Sequence, residues 1–392
     1  MTELKIDHIE HADVMDYLRA LPDSCVNLVV TSPPYFGLRD YGVDGQIGLE
    51  PTPAAYIARM VDVFREVRRV LVDDGNVYVN LGDSYANDGK WGGATGGKHA
   101  AELRGNTGIG RARKATGYLP KSLMLIPHRF AIAMQDDGWL LREDIVWHKP
   151  NPMPESVTDR CTRAHEYIFH FTKQARYWYD QQAVSEPTSE VTFARALRGV
   201  GTEHKNVAGA PGQTPHSMQK PREHGEGYPV NPQRNRRSVW TINPASFREA
   251  HFATFPEDIP EICILAACPE WCCEKCGAPY EAQVERVISD SPASYNGSSF
   301  TKGKAGAVHD SRGQGPRYES SVTGYAPTCA CNAGKRAGVV LDPFSGAGTV
   351  ALVAKRLNRR YIGCDLNAEY VEMARRRVES IPYTLFSLMG AD

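Results

Sequence analysis

The sequence predicts an α/β fold, a mostly parallel sheet covered by helices on both faces, and three observations carry that expectation. Short apolar runs alternate with segments of helical periodicity from Leu4 to Leu81. A second strand–turn–helix–strand unit runs from Val339 to Asp365, far along the chain. The strands at the heart of both units, Val26-Asn27-Leu28-Val29-Val30 and Val339-Val340-Leu341, are nearly continuous in apolar residues, as strands buried on both faces are.

Taken in order, the chain predicts a strand over Leu4–His11, a helix over Val14–Leu21 and a strand over Val26–Thr31. Tyr56, Met60, Val63, Phe64, Val67, Val70 and Leu71 recur at helical spacing, and Gly75 is expected to end that helix before a buried strand over Asn76–Leu81. From Tyr85 to Tyr118 the periodicity disappears, which predicts a long mobile loop. A helix is expected over Ser122–Asp136, then strands over Leu140–Trp147 and Tyr167–Thr172, order again at Val239–Ile242, and a buried helix over Ile259–Ala267. The C-terminal unit closes with a helix over Ala368–Ser380. The expected divisions are 1–182, 183–250, 251–268, 269–336 and 337–392.

With 392 residues, 42% of them hydrophobic, the chain can bury one large core and carry inserted modules. A net charge of −1 gives no whole-molecule attraction to a polyanion, but the charge is unevenly placed. Between Asn87 and Pro127 seven bases face two acids, and between Arg195 and Arg248 nine bases face three. Such segments suit a polyanion-binding face or solvated loops. No stretch is apolar for the length of a membrane helix and the N-terminus lacks a signal-peptide core, so a soluble, cytoplasmic protein is expected.

The chemistry concentrates in two motifs. Thr31-Ser32-Pro33-Pro34-Tyr35 ends a strand in a turn whose prolines fix their own φ angles. Asp342-Pro343-Phe344-Ser345-Gly346-Ala347-Gly348-Thr349 is a glycine-rich turn at the carboxyl end of a strand, followed by Tyr361-Ile362-Gly363-Cys364-Asp365. Glycines there let the backbone approach a ligand, and an acid at the end of the next strand can take ribose hydroxyls. Together the motifs resemble those of S-adenosylmethionine-dependent DNA amino-methyltransferases, and their order resembles the beta class. The resemblance implies a Rossmann-like methyltransferase fold, circularly permuted, in which the last strands insert at the centre of the sheet. It implies that Asp342, Phe344, Gly346, Gly348 and Asp365 surround S-adenosylmethionine, that Asp13 faces its adenine, and that Phe255 lines the pocket. Asp13 reads equally as a helix N-cap and Phe255 as core.

The same resemblance makes Ser32, Pro33, Pro34 and Tyr35 the base pocket. An exocyclic amine has its lone pair delocalised into the ring, so acceptors must hold its hydrogens. Ser32 offers a side-chain oxygen, Pro33 a carbonyl, and Tyr35 a ring to stack on a base rotated out of duplex DNA. No Pro-Cys dipeptide is present to supply a carbon-5 nucleophile. Serine in the first position favours cytosine N4, with adenine N6 the rival. A non-catalytic DNA-binding protein of the same fold, and methylation of RNA or a protein amide, stay open as other readings. Asn80-Leu81-Gly82-Asp83 resembles a further motif, with Asp83 orienting ligand or capping a turn. The partners implied are double-stranded DNA, with a homodimer and a cognate restriction enzyme left open. Arg234, Arg236, Arg237 and Lys149 are the candidate DNA contacts, the arginines chiefly to phosphate.

Six of the ten cysteines lie between Cys268 and Cys331. Cys272-Cys273-Glu274-Lys275-Cys276-Gly277 and Cys329-Ala330-Cys331 bracket an insertion, and a Cys-x-x-Cys-Gly knuckle with a second close pair can enclose tetrahedral zinc. The ligands expected are Cys273, Cys276, Cys329 and Cys331, with Cys272 the reserve; reduced cysteines without metal are the alternative.

Overall fold

The computed structural model describes residues 4–37, 45–86, 117–152, 154–192, 233–245, 256–289 and 317–381. Most of the loop expected over 85–118, Phe255, and the greater part of the basic stretch from 195 to 248 lie outside them. The chain divides into two compact units, one of residues 1–184, 237–280 and 327–392, the other of residues 185–236 and 281–326.

The first unit is built on an eight-stranded sheet. Its strands are β1 (His8–His11), β2 (Val26–Thr31), β3 (Leu71–Leu81), β4 (Leu140–His148), β5 (His165–Thr172), β8 (Val239–Thr241), β13 (Val339–Asp342) and β14 (Arg360–Asp365), in the order β1-β14-β13-β2-β3-β5-β4-β8. The C-terminal strands β13 and β14 therefore lie between β1 and β2, as the permuted arrangement requires. Pairing is parallel from β1 through β3, and β5 alone runs against its neighbours.

Helices α1 (Val14–Ala20), α2 (Pro53–Val70) and α3 (Ile126–Asp136) supply one apolar layer, joined by Val26 and Val29 of β2. Helices α4 (Asp258–Ala267), α5 (Thr349–Arg356) and α6 (Ala368–Glu379) supply the other, joined by Leu28 and Val30. From Leu28 to Val30 the alternation sends successive side chains into opposite cores, and the register shift between Val26 and Leu28 places Val26 with Val29. Asn27, buried in this apolar strand, accepts Val339 N–H through Oδ1 at 3.0 Å and so fastens β13 to β2. On β5, burial pushes His170 down to about 3, so its neutral imidazole donates to Asn76 Oδ1 at 2.8 Å and stacks on Tyr78.

Several boundaries differ from the sequence expectation. β1 begins only at His8 because Asp7 adopts φ 57° and turns its carboxylate onto Tyr361 N–H and Arg360. α2 stops at Val70, with Leu71 already extended, so Gly75 sits inside β3 rather than after a helix. A side chain at Gly75 would meet Asn27 O at 2.9 Å, which explains the glycine by close packing. α3 starts four residues later than its periodicity suggests. Leu125 takes a left-handed φ of 56°, and Pro127 falls in the first turn, where a missing N–H costs nothing.

Of the second unit, the described elements are a short ribbon of β6 (Glu186–Pro187) with β7 (Gln233–Arg234), and a two-stranded sheet of β10 (Tyr280–Ser289) with β11 (Arg317–Pro327). The first unit also carries a clasp of β9 (Trp271–Cys273) against β12 (Lys335–Ala337). Among the described residues no helix is long and apolar enough to cross a membrane.

Candidate active site

Both motifs emerge at the same sheet edge. β13 and β2 are parallel neighbours, so Asp342 and Thr31, each the last residue of its strand, come together, and Thr31 Oγ1 donates to Asp342 Oδ1 at 2.7 Å. The same oxygen accepts Phe344 N–H at 3.1 Å, which fixes the start of the glycine-rich turn. Burial raises Asp342 to about 7, and the nearby Asp365 carboxylate pushes in the same direction.

The turn itself needs two left-handed residues, Gly346 (φ 48°) and Gly348 (φ 72°). At Gly348 a Cβ would also stand 2.8 Å from Ala374 Cβ, so the glycine lets α6 pack against the turn. Gly346 N–H reaches Asp365 Oδ2 at 2.8 Å, and Asn367 N–H reaches Oδ1 at 2.9 Å. Each carboxylate oxygen keeps an accepting site for a hydroxyl, which is what a ribose diol requires. A buried acid at the end of β13 that accepts no charged donor suits a cationic ligand group. The residues present therefore fit S-adenosylmethionine, whose methionine ammonium and ribose need these acceptors. Asp13 follows β1, whose His11 is in register with Asp365, and its Oδ1 accepts Met15 and Asp16 N–H at 2.8 and 3.3 Å. Asp13 is thus an N-cap at the cofactor edge of the sheet.

On the catalytic side Ser32, Pro33, Pro34 and Tyr35 form one turn, with Pro34 O held by the buried Tyr56 hydroxyl at 2.9 Å. Tyr35 is the centre of a polar cluster. Its hydroxyl lies 2.8 Å from Glu166 Oε2, 3.1 Å from Asn80 Oδ1 and 3.5 Å from Ser32 Oγ. Asn80 Nδ2 donates to Glu166 Oε2 and to Tyr167 O, both at 3.2 Å. Lys149 completes the cluster by an ion pair with Glu166, its ammonium 4.1 Å above the centre of the Trp147 ring. Burial beside the Glu166 carboxylate pushes the Tyr35 phenol well above its usual range, so it stays protonated and donates. Gly82 permits this placement, because a Cβ there would stand 2.6 Å from Tyr35 Cε2.

Asp83 resolves as a cap. Its Oδ1 accepts Ser84 N–H at 2.9 Å and Ile126 N–H at 3.1 Å, serving the first turn of α3 from a distance, and Arg163 lies 3.7 Å from Oδ2. The four expected cysteine ligands also converge: the Sγ atoms of Cys273, Cys276, Cys329 and Cys331 all lie within 4.8 Å of one another. Cys272 points elsewhere, into the buried interior.

The residues 26–273 and 332–376 match the family model of DNA methylases that modify N6 or N4. The chain is 36% identical over 370 residues to the Type II methyltransferase M.XycI of Xanthomonas campestris pv. cyanopsidis, covering 94% of this chain and 86% of that one. This chain is a DNA amino-methyltransferase. It is also 35% identical to the Type II methyltransferase M.Cfr9I of Citrobacter freundii, again over 94% of this chain and 86% of the relative. Among solved structures, the PvuII cytosine-N4-specific DNA methyltransferase shares its fold, with a TM-score of 0.50 at 16% identity over 94% of this chain and 87% of that one.

Within this methyltransferase the cofactor is S-adenosylmethionine, and the cofactor and base motifs named from the sequence lie side by side. Lys149 belongs to the Tyr35 cluster. Arg234 and Arg236 are paired with Glu186 at 3.4 and 3.7 Å, so a phosphate would have to compete with that carboxylate. Arg237 precedes β8 and lends its carbonyl to Trp240 Nε1 at 3.0 Å. The sequence reading did not single out Glu166 or Asn80 as members of the pocket. The one available signal was an acid at the start of an apolar strand, Glu166-Tyr167-Ile168-Phe169.

Proposed function

We propose that this methyltransferase modifies the exocyclic N4 of cytosine in duplex DNA, by direct transfer to a base turned out of the helix. One observation carries the reading: the hydroxyl of Ser32 stands in a pocket with the Tyr35 cluster, beside the bond that joins Thr31 to the cofactor acid Asp342. S-adenosylmethionine supplies an electrophilic methyl group on sulfur. Ser32 Oγ and the Pro33 carbonyl accept the two hydrogens of the amine, which turns its lone pair out of conjugation and towards that methyl. Forming the nitrogen–carbon bond would break the methyl–sulfur bond, with the sulfur pair leaving on S-adenosylhomocysteine; the methylated amine would pass one proton to solvent, and the neutral cytosine product keeps one hydrogen and one methyl.

Tyr35 stacks on the extruded base. Unstacking costs a few kcal/mol and a base–aromatic contact returns about 1–3 kcal/mol. Its ring is held close over Gly82 and its hydroxyl is bonded to Glu166, so its position is set before the base arrives. Serine in the first position supports N4, and a protein of the same fold, the PvuII methyltransferase, is described as cytosine-N4-specific. An adenine-N6 reading draws on Glu166, which brings a carboxylate into the same cluster. Arg234, Arg236 and Arg237 are assigned to the phosphate backbone, and the modification is read as protecting a recognition sequence from a cognate endonuclease.

Purified protein, labelled S-adenosylmethionine and mixed-sequence duplex DNA, digested to nucleosides and resolved by mass spectrometry, decide the base. N4-methylcytosine is expected. N6-methyladenine would retain the pocket and overturn the base, and the absence of both, with the cofactor bound, would overturn the reaction.

A further inference from the structure

We propose that Cys273, Cys276, Cys329 and Cys331 hold a structural zinc ion that closes the cysteine-bracketed insertion and sets the entry of the cofactor strand β13. Four sulfurs within 4.8 Å of one another bracket the roughly 3.8 Å edge of a tetrahedron whose metal–sulfur bonds are about 2.3 Å long. The backbone around the first pair is shaped to present both thiolates inward. Gly277 N–H returns to Cys273 O at 2.9 Å, Cys273 N–H reaches Ala278 O at 2.8 Å, and Gly277 takes φ 75°, a conformation that favours glycine.

The second pair is tied to the first independently of any metal. Thr328 Oγ1 donates to Pro279 O at 2.7 Å, and Glu274 N–H donates to Gly334 O at 2.9 Å. Thus the two arms of the knot are held together before an ion binds. Four thiolates leave no open coordination position, so the ion is structural and takes no part in transfer.

The connection to function lies in the clasp. β9 ends on Cys273 and pairs antiparallel with β12, with Lys335 opposite Cys273 and Ala337 opposite Trp271. Lys335 Nζ lies 4.1 Å over the Trp271 ring. β12 leads through Gly338 into β13, and Gly338 has no room for a side chain, since a Cβ would stand 2.8 Å from Cys268 Sγ. Gly338 O then accepts Arg360 N–H at 2.9 Å. A continuous run of backbone pairing therefore joins the knot to the strand that ends in Asp342.

Native mass spectrometry and elemental analysis of the intact reduced protein test the assignment, with about one zinc per chain expected. Cys276→Ser and Cys329→Ser should each lose the metal, whereas Cys161→Ser, at an exposed thiol away from the knot, should retain it. Stripping zinc from the wild-type chain with a chelator should lower Tm, speed hydrogen exchange at residues 335–342 and weaken binding of S-adenosylhomocysteine; adding zinc should restore all three. Because these readouts need no turnover, they are independent of which base is methylated. If the serine variants do not fold, the stripped and refilled wild-type protein decides. Four reduced thiols that refuse added zinc, a disulfide between the pairs, iron in place of zinc, or exchange at 335–342 unaffected by the metal would overturn the proposal.

Discussion

At Tyr35 the phenol hydrogen has two acceptors in reach, Glu166 Oε2 and Asn80 Oδ1, and can serve only one at a time. The ion pair with Lys149 holds the Glu166 carboxylate in place, and a carboxylate is a stronger acceptor than an amide oxygen. Glu166→Gln removes the charge and leaves Lys149 unpaired. Its expected effect is a fall in kcat on the order of tenfold to hundredfold, with the affinity for S-adenosylhomocysteine unchanged, read by single-turnover kinetics and calorimetry. Wild-type kcat would mean that the cluster serves packing alone. Ser32→Ala should be more severe, on the order of hundredfold or more in kcat, because on the proposed mechanism it removes the acceptor that acts on the reacting amine. Asp342 gives a pH prediction. Its folded pKa of about 7 exceeds the unfolded 3.8, so the unliganded fold binds an extra proton between these values and loses stability as pH rises through them, most of it by pH 7. A cationic ligand reverses the preference, since it favours the ionised acid. Affinity for S-adenosylmethionine should therefore increase as pH rises through 7, and Asp342→Asn should flatten that dependence in a calorimetric titration.

The glycine-rich turn shows how an element separates two demands on one residue type. Gly346 and Gly348 are both left-handed, but only Gly348 is also crowded, by Ala374 of α6. Gly346→Ala should cost about 1–2 kcal/mol of stability from backbone strain, and Gly348→Ala clearly more, because a Cβ displaces a helix as well. Thermal or urea unfolding of the two variants checks the order; equal losses would mean that α6 yields freely. These same elements show what was legible in the sequence. The two apolar strands, the acid that ends β14 and the two close cysteine pairs could be read because each depends on local spacing. Asp83 as a cap for α3 could not, since its donor Ile126 lies 43 residues further along the chain. Glu166 was hidden for a related reason: its partners Tyr35, Asn80 and Lys149 come from three other elements, and in sequence it is one acid beside aromatic residues. The early start of β3 was obscured by Asp73, Asp74 and Gly75, polar or small residues that only tertiary packing makes part of a strand.

In the catalytic unit the first and last parts of the chain share one sheet, and the seam between β2 and β13 runs through the active site. Two side-chain bonds cross it, Thr31 to Asp342 at the site edge and Asn27 to Val339 at the opposite end. A ligand gripped by the turn after β13 therefore pulls on a strand whose other neighbour, β2, leads into Ser32 and the proposed base pocket. Saturating S-adenosylhomocysteine at a hundred times its Kd should stabilise this unit by about 2.7 kcal/mol, if it binds the folded state alone. The distribution of that stabilisation is the sharper test. With the two halves folding as one, hydrogen exchange should slow together in residues 26–31 and 339–342, although the ligand contacts are made chiefly by the latter. Protection confined to residues 339–381 would mean that the C-terminal part orders by itself and docks on a sheet already formed. Thr31→Val, which keeps the side-chain shape and removes the bond to Asp342, should reduce the protection of 26–31 more than that of 339–342. That asymmetry would show that the buried hydroxyl transmits cofactor occupancy to the strand that presents Ser32.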